Sequence, residues 1–288
     1  MKNQDFKQDI TNKIIDLMQE NGSNWVKCWI EDKSLLMPIN AITKNHYQGI
    51  NILSLWLSDK DTNEWGTYKQ WQDFGKQVKK GEKSTRVLRY IQIEKDGENQ
   101  ELELIPIMKT FNVFNADQLE GYEPNIEIGK GAKFNHDRAD EFITNTQAVI
   151  KNEQQKAFYS EMSDFINLPK MQDFIDTEDA TAQQSYYSTL LHELTHWTGN
   201  KKRLDRKNST DKKEYAFEEL IAELGSCFLC TYLGTEPTIK KDHAKYLNGW
   251  IEILKDDNKA ILKAASQAGK AFDFLLNLQT QKNQEKVA

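Results

Sequence analysis

Cysteine is scarce in this chain, 3 among 288 residues, which excludes a disulfide framework as the device that holds it together. Cys227 and Cys230 form a C-x-x-C, but it lies in an apolar helical stretch with no second pair to complete a zinc knuckle. The two thiols therefore read as core packing. Long apolar runs are also missing. None approaches the length of a bilayer span, and the opening Met1-Lys2-Asn3-Gln4-Asp5 carries no apolar signal region, so a cytoplasmic protein with no membrane partner is expected. No internal repeat is visible. Positive charge is short overall: the formal net charge is −6, which averaged over the chain speaks against nucleic acid. What is present suffices for packed cores, with 38% hydrophobic residues and 10% aromatics. The length of 288 residues favours two domains over one.

Histidine is sparse too, 5 in all, yet two stand four apart in His192-Glu193-Leu194-Thr195-His196. Residues at that spacing share one helical face, so both imidazoles can reach a single Zn²⁺, and the glutamate between them is placed to act as a general base toward water. Leu190, Leu191, Leu194 and Trp197 supply an apolar stripe, and Gly199 stands where the helix should end.

A catalytic zinc site uses three protein side chains. The extended H-E-x-x-H-x-x-G-x-x-H form is excluded, because Gly199 matches its glycine but Lys202 stands where the third histidine belongs. The remaining solution is a carboxylate from a second helix. In the stretch 215–224, Ala216, Phe217, Leu220, Ile221 and Leu224 predict a mostly buried helix, on whose inner face an acid needs a partner or a metal. Glu219 and Glu223 share a face there. Their spacing resembles that of the thermolysin-like proteins. That resemblance implies Glu219 as third ligand and Glu223 as the acid that holds His192 or His196 by its far ring nitrogen; the spacing by itself leaves either acid eligible as ligand. His243 and Tyr246, in a helix-like stretch downstream, are the candidate donors to a developing oxyanion.

The acidic average hides a local imbalance. From Gly66 to Tyr90 the chain carries seven basic residues, Lys69, Lys76, Lys79, Lys80, Lys83, Arg86 and Arg89, against Asp73 and Glu82. Trp65, Tyr68, Trp71 and Phe74 are interleaved with them. Basic charge beside aromatic platforms is how proteins hold single strands without reading sequence. The same residues also read as a helix capped by Thr67 and running through Val78, with Trp71 and Phe74 as its buried face. Elsewhere, Phe6, Ile10, Ile14, Leu17 and Met18 predict an amphipathic first helix, and residues 49–58 a second. Strands are expected over 87–93, 101–107 and 110–114, with a turn at Asp96-Gly97. Breakers over 120–131 read as a linker. A helix near Phe134, one short strand at 163–168 and three or four helices should follow, with the tail frayed from Gln279.

Two motif sets go beyond these patterns. The first is Pro38-x-Asn40, Tyr47-x-Gly49-Ile50-Asn51, Trp65-x-Thr67-x-x-Gln70, Val78-x-Lys80-Gly81-Glu82-Lys83 and Phe111-Asn112-Val113-Phe114-Asn115-Ala116-Asp117-Gln118. The second is Tyr186 to Gly199 around the two histidines, Arg203-Leu204-x-Arg206, Phe217-Glu218-Glu219-Leu220-x-Ala222-Glu223 and Tyr246-x-x-x-Trp250. Together they resemble the ArdC-type antirestriction proteins of conjugative plasmids, over nearly the whole chain. The resemblance implies an α+β protein: a mixed α/β single-stranded-DNA-binding domain over 1–128, then a mainly helical zincin-like metallopeptidase domain over 133–288. It implies protection of incoming mobile-element DNA from host restriction, a bound Zn²⁺ or another divalent metal, single-stranded DNA as partner, and a protein or peptide substrate. Trp65, Gln70, Lys80 and Lys83 fall on the DNA-binding side by carry-over, alongside Lys76, Lys79 and Arg86 of the basic patch. The alternative is a shielding protein whose metal site is structural or vestigial.

Overall fold

A computed structural model describes residues 3–22, 25, 36–96, 102–123, 135–178, 180–206, 211–235, 237 and 244–285. The first helix forms where apolar spacing predicts it. In α1 (Asn3–Asn21), Phe6, Ile10, Ile14 and Met18 recur on one face and are buried. Strand β1 (Ile39–Asn40) precedes α2 (Ile50–Trp56), which buries Ile52, Leu53 and Leu55.

After β2 (Glu64–Gly66), Thr67 and Gln70 close a reciprocal capping box that starts α3 (Tyr68–Asp73). This helix is shorter than expected. It stops at Asp73 because Gly75 takes a φ of 74° and turns the chain away. Trp71 is buried as expected, but Phe74 leaves the packed face and is 61% exposed. Strands β3 (Thr85–Asp96) and β4 (Leu102–Asn115) form a long antiparallel ladder from Thr85↔Val113 to Asp96↔Leu102. The two strands expected over 101–114 are one, since Met108 and Lys109 stay in register opposite Tyr90 and Arg89. The first sheet has the order β1-β2-β4-β3, with only β1 and β2 parallel. Gly97 of the expected turn, and residues 124–131 of the expected linker, lie outside the described residues.

The second half opens with α4 (His136–Thr146), N-capped by Asn135. A small sheet of order β5-β7-β6 follows, from β5 (Val149–Lys151), β6 (Phe158–Ser160) and β7 (Phe165–Asn167). Then come α5 (Ala182–Thr198), α6 (Lys212–Leu233), α7 (Ala244–Asp256) and α8 (Ala260–Glu285). Gln279 does not begin a frayed tail: its amide donates to Phe142 O at 3.1 Å and accepts from Asn145 at 2.9 Å, and α8 continues past it. Helices with two small sheets make the fold α+β, as expected.

The core runs through both halves. Ile14, Met18, Ile52 and Leu53 belong to the same buried cluster as Leu224, Phe228, Trp250, Ala264 and Ala268. Helix α1 packs on α7, and α2 on α8. Trp25 meets Trp250 edge-on at 6.2 Å between ring centroids. Where α8 meets the start of α2, glycine faces glycine: a Cβ on Gly269 would lie 3.1 Å from the Gly49 nitrogen, and Gly49 itself holds a φ of 55°. Among the described residues no helix is long and apolar enough to cross a membrane.

Candidate metal centre and nucleic-acid face

Helix α5 starts at a Thr181–Gln184 capping box and buries His192 and Glu193. Its two histidines turn their Nε2 atoms toward each other at 3.2 Å. Helix α6 crosses beside them. It approaches closely because residue 225 is glycine, where a side chain would overlap Thr195 of α5. The crossing presents Glu219 to both rings: its carboxylate lies 3.5 Å from His192 Nε2 and 3.7 Å from His196 Nε2. Donor atoms of His192, His196 and Glu219 all lie within 4.8 Å of one another, a set that could hold one divalent cation. Glu223 sits one turn on and reaches the other side of His192, 3.5 Å from Nδ1. Of the two acids the spacing left eligible, Glu219 faces the converging nitrogens and Glu223 faces away from them.

The acid that sequence reasoning missed is Glu218. It is buried, sits 3.2 Å from His196 Nδ1, and accepts from Arg206 Nη2 at 2.9 Å. Arg206 in turn donates to Thr195 O at 2.6 Å and Thr198 Oγ1 at 2.7 Å. So each histidine has a carboxylate on its far ring nitrogen, the arrangement that fixes imidazole orientation at metal sites. Gly199 ends α5 as expected but for a different reason. Its φ of −72° is ordinary; what excludes a side chain is Arg206 Nη2, 2.9 Å from where a Cβ would be.

The electrostatics suit a cation. Glu193, Glu218, Glu219 and Glu223 are all buried here, and Arg206 is the buried arginine that answers them among the described residues. Buried carboxylates need such partners or a metal. Burial pushes the Glu219 carboxyl up, but the His192 hydrogen bond and the His196 charge outweigh it and hold the group below its usual range. Burial pushes His196 down, and the Glu218 hydrogen bond with the charges of Glu219, Glu218 and Glu193 carries it above its ordinary value. Glu218 and Glu219 are thus held ionised, the state in which a carboxylate can bind or support a divalent cation.

Tyr215, one turn before Glu219, hydrogen-bonds that carboxylate; burial and the neighbouring Tyr246 and Glu219 push its phenol up. Tyr246 stands next in line, its hydroxyl 3.5 Å from that of Tyr215. The two rings border a cavity of about 470 Å³ with Ala216, Gly249 and Ile253. Tyr246 was expected from the sequence as an oxyanion donor; Tyr215, which stands between it and Glu219, was not named. His243 lies outside the described residues.

The expected DNA-binding residues separate by burial. Lys76, Lys79, Lys80 and Lys83 are exposed. Arg86 pairs with Asp9 and lies over the Phe6 ring at 5.5 Å. Trp65 corrects the expectation: it is 2% exposed, packed with Leu55, Val87 and Val113, so its ring is not offered to a base. Gln70 is taken up by the Thr67 cap and Asn40. Cys227 and Cys230 are fully buried in α6, and burial pushes the Cys230 thiol up to about 12, as core packing requires.

Residues 4–114 match the N-terminal domain of anti-restriction factor ArdC, and residues 137–267 match a zincin-like metallopeptidase. The crystal structure of metal-free antirestriction ArdC from plasmid R388 superposes with a TM-score of 0.79 at 37% identity, covering 96% of this chain and 98% of that one. The chain belongs to the ArdC antirestriction family. The Mn(II)-bound structure of the R388 protein gives a TM-score of 0.75 at 36% identity over 94% of this chain and 97% of that one. The chain is also similar to a protein of Sinorhizobium fredii, 32% identical over 94% of this chain and 91% of that protein, and to the Escherichia coli DNA primase TraC, 31% identical over 98% of this chain. The chain spans 28% of that primase.

Proposed function

We propose that this ArdC-family chain binds single-stranded DNA and hydrolyses peptide bonds with Zn²⁺ held by His192, His196 and Glu219, acting in the cytoplasm to protect incoming mobile-element DNA from restriction. The observation that carries the peptidase half is the convergence of those three side chains beside a buried Glu193. Zn²⁺ there would supply Lewis-acid chemistry toward water and a peptide carbonyl. Glu193, buried and next to His192 in the chain, is the acid that would accept the proton of the attacking water. Glu218 and Glu223 hold the two rings in place from behind. Tyr246 supplies a hydroxyl that can donate to the carbonyl oxygen as negative charge develops on it, with Tyr215 between it and Glu219. The match of residues 4–114 to the N-terminal domain of anti-restriction factor ArdC, the plasmid origin of the R388 protein and the exposed cations of this half support the DNA half.

The test is metal content, peptide cleavage and plasmid transfer into a restricting recipient, measured for the chain and for Glu193→Ala. Expected are one metal per chain in both, cleavage in the first alone, and transfer that falls with the loss of cleavage. Transfer that survives in Glu193→Ala would replace this reading with DNA shielding around a structural metal.

A further inference from the structure

We infer that the nucleic-acid strand lies in the groove between the first sheet and α8, with Arg89, Lys109 and Lys270 on its phosphates and Tyr47 and Phe111 under a base. The inference rests on the single-stranded-DNA reading above and moves the site away from Lys80 and Lys83. The groove has a volume of about 760 Å³, and Tyr47, Arg89, Phe111 and Lys270 are among its walls, with Lys109 outside the wall as the partner of Arg89 across the ladder.

Arg89 and Lys109 are direct partners across the β3–β4 ladder and both are exposed. Side chains of such a pair stand on the same face, where like charges repel and weaken the sheet. A pairing that costs stability needs an anion to justify it. Two residues further along the same face, the rung Val87↔Phe111 brings an aromatic ring beside these cations. Phe111 and Tyr47 are half-buried against one cluster, so their rings are held firm while one side of each can still be covered. The opposite wall is α8, with Lys270 exposed. The carboxylate lining the groove among the described residues is Asp273, which accepts from Gln48 Nε2 at 2.9 Å. Fixed aromatics flanked by cations on both walls fit a strand with unpaired bases, not a duplex.

The lysine-rich pocket is a weaker candidate. Asp9 and Glu82 line it together with Lys80, Lys83 and Arg86. Arg86 is bound to Asp9, and Lys60 lies 3.9 Å from Glu82 and 3.8 Å from Asp117. The aromatic there, Phe6, is buried in the core.

The experiment is fluorescence anisotropy of a labelled oligothymidylate with the full chain across a salt series. Arg89→Ala/Lys109→Ala and Lys270→Ala should each weaken binding, the double variant by about ten-fold or more, and flatten the log–log salt slope by roughly 0.7 for each phosphate contact removed. Phe111→Leu keeps apolar packing, so it should weaken binding with the slope unchanged. Melting temperatures of the charge variants should match the unaltered chain or exceed it. If the groove variants bind normally while Lys80→Ala/Lys83→Ala fails, the strand lies elsewhere and the DNA reading stands. If the unaltered chain binds no oligonucleotide at low salt, both readings fall.

Discussion

Thr195, between the two histidines of α5, fills the space where Gly225 of α6 has no side chain. The contact sets how closely α6 brings Glu219 and Glu223 to the imidazoles, so the geometry of the donor cluster depends on a glycine that is not among its residues. Gly225→Ala should force the helices apart, at roughly 1–3 kcal/mol of overpacking. Denaturant unfolding should show the loss, and metal titration a weakened site. Full stability with unaltered metal affinity would mean that the crossing does not set the site.

Removing a ligand and removing its support should differ in kind. His192→Ala and Glu219→Ala are expected to lose stoichiometric metal. Glu223→Ala and Glu218→Ala should keep it with affinity lowered by about 10–100-fold, since only the orientation of a ring is lost. Competition against a graded chelator separates the two classes. Stoichiometric metal in Glu219→Ala, with an empty site in Glu223→Ala, would reverse the roles of the two acids.

Arg206 joins Glu218 to the backbone of the histidine helix through Thr195 O. Arg206→Ala leaves a buried carboxylate without its cation and should cost about 3–5 kcal/mol. Arg206→Lys should recover little of it, because an ammonium cannot repeat the fork to Glu218 and the reach to Thr198 at once. Unfolding midpoints of the two variants give the comparison; full recovery by lysine would show that charge alone is required.

Asp164 gives the acid limb a testable part. The hydrogen bond from Arg203 lowers its carboxyl, with Tyr159 and Lys202 helping, and holds it at about 2 against burial and an ordinary value of 3.8. A carboxylate depressed in the folded state contributes its full stability above about pH 4 and loses it as pH falls from there toward 2. Arg203 also lies over the Trp197 ring at 3.8 Å, an interaction that does not titrate. The stability gap between the chain and Arg203→Ala should therefore narrow below pH 4 without closing. A gap that stays constant across that range would assign all of it to the stacking.

The convergence of His192, His196, Glu219 and Glu223 was legible because its spacing is helical: the four follow from two periodic segments. Glu218 was not, since its neighbour Glu219 already occupied the inward position, and its burial depends on Arg206, which a loop delivers from outside either helix. Strands β5 and β6 span three residues each and are at most partly buried, so no alternation marked them. Trp65 misled because a tryptophan beside lysines has the same sequence signature whether its ring stacks on a base or fills a core. Trp71 and Phe74 shared one predicted face until Gly75 turned the backbone between them and the strand that follows.

The unbroken core has a consequence for what counts as a part of this protein. Helices α1 and α2 pack on α7 and α8 across the chain's midpoint as well as on β4 and β3 of their own half. The peptide link between the halves is then one connection among many. Supplied as two separate polypeptides, 1–123 and 135–288, the halves should pair as subunits do and co-elute, each being insoluble or molten when expressed alone. In a longer chain such as the TraC primase, which carries a counterpart of 98% of these residues, the stretch would be inherited as one indivisible block.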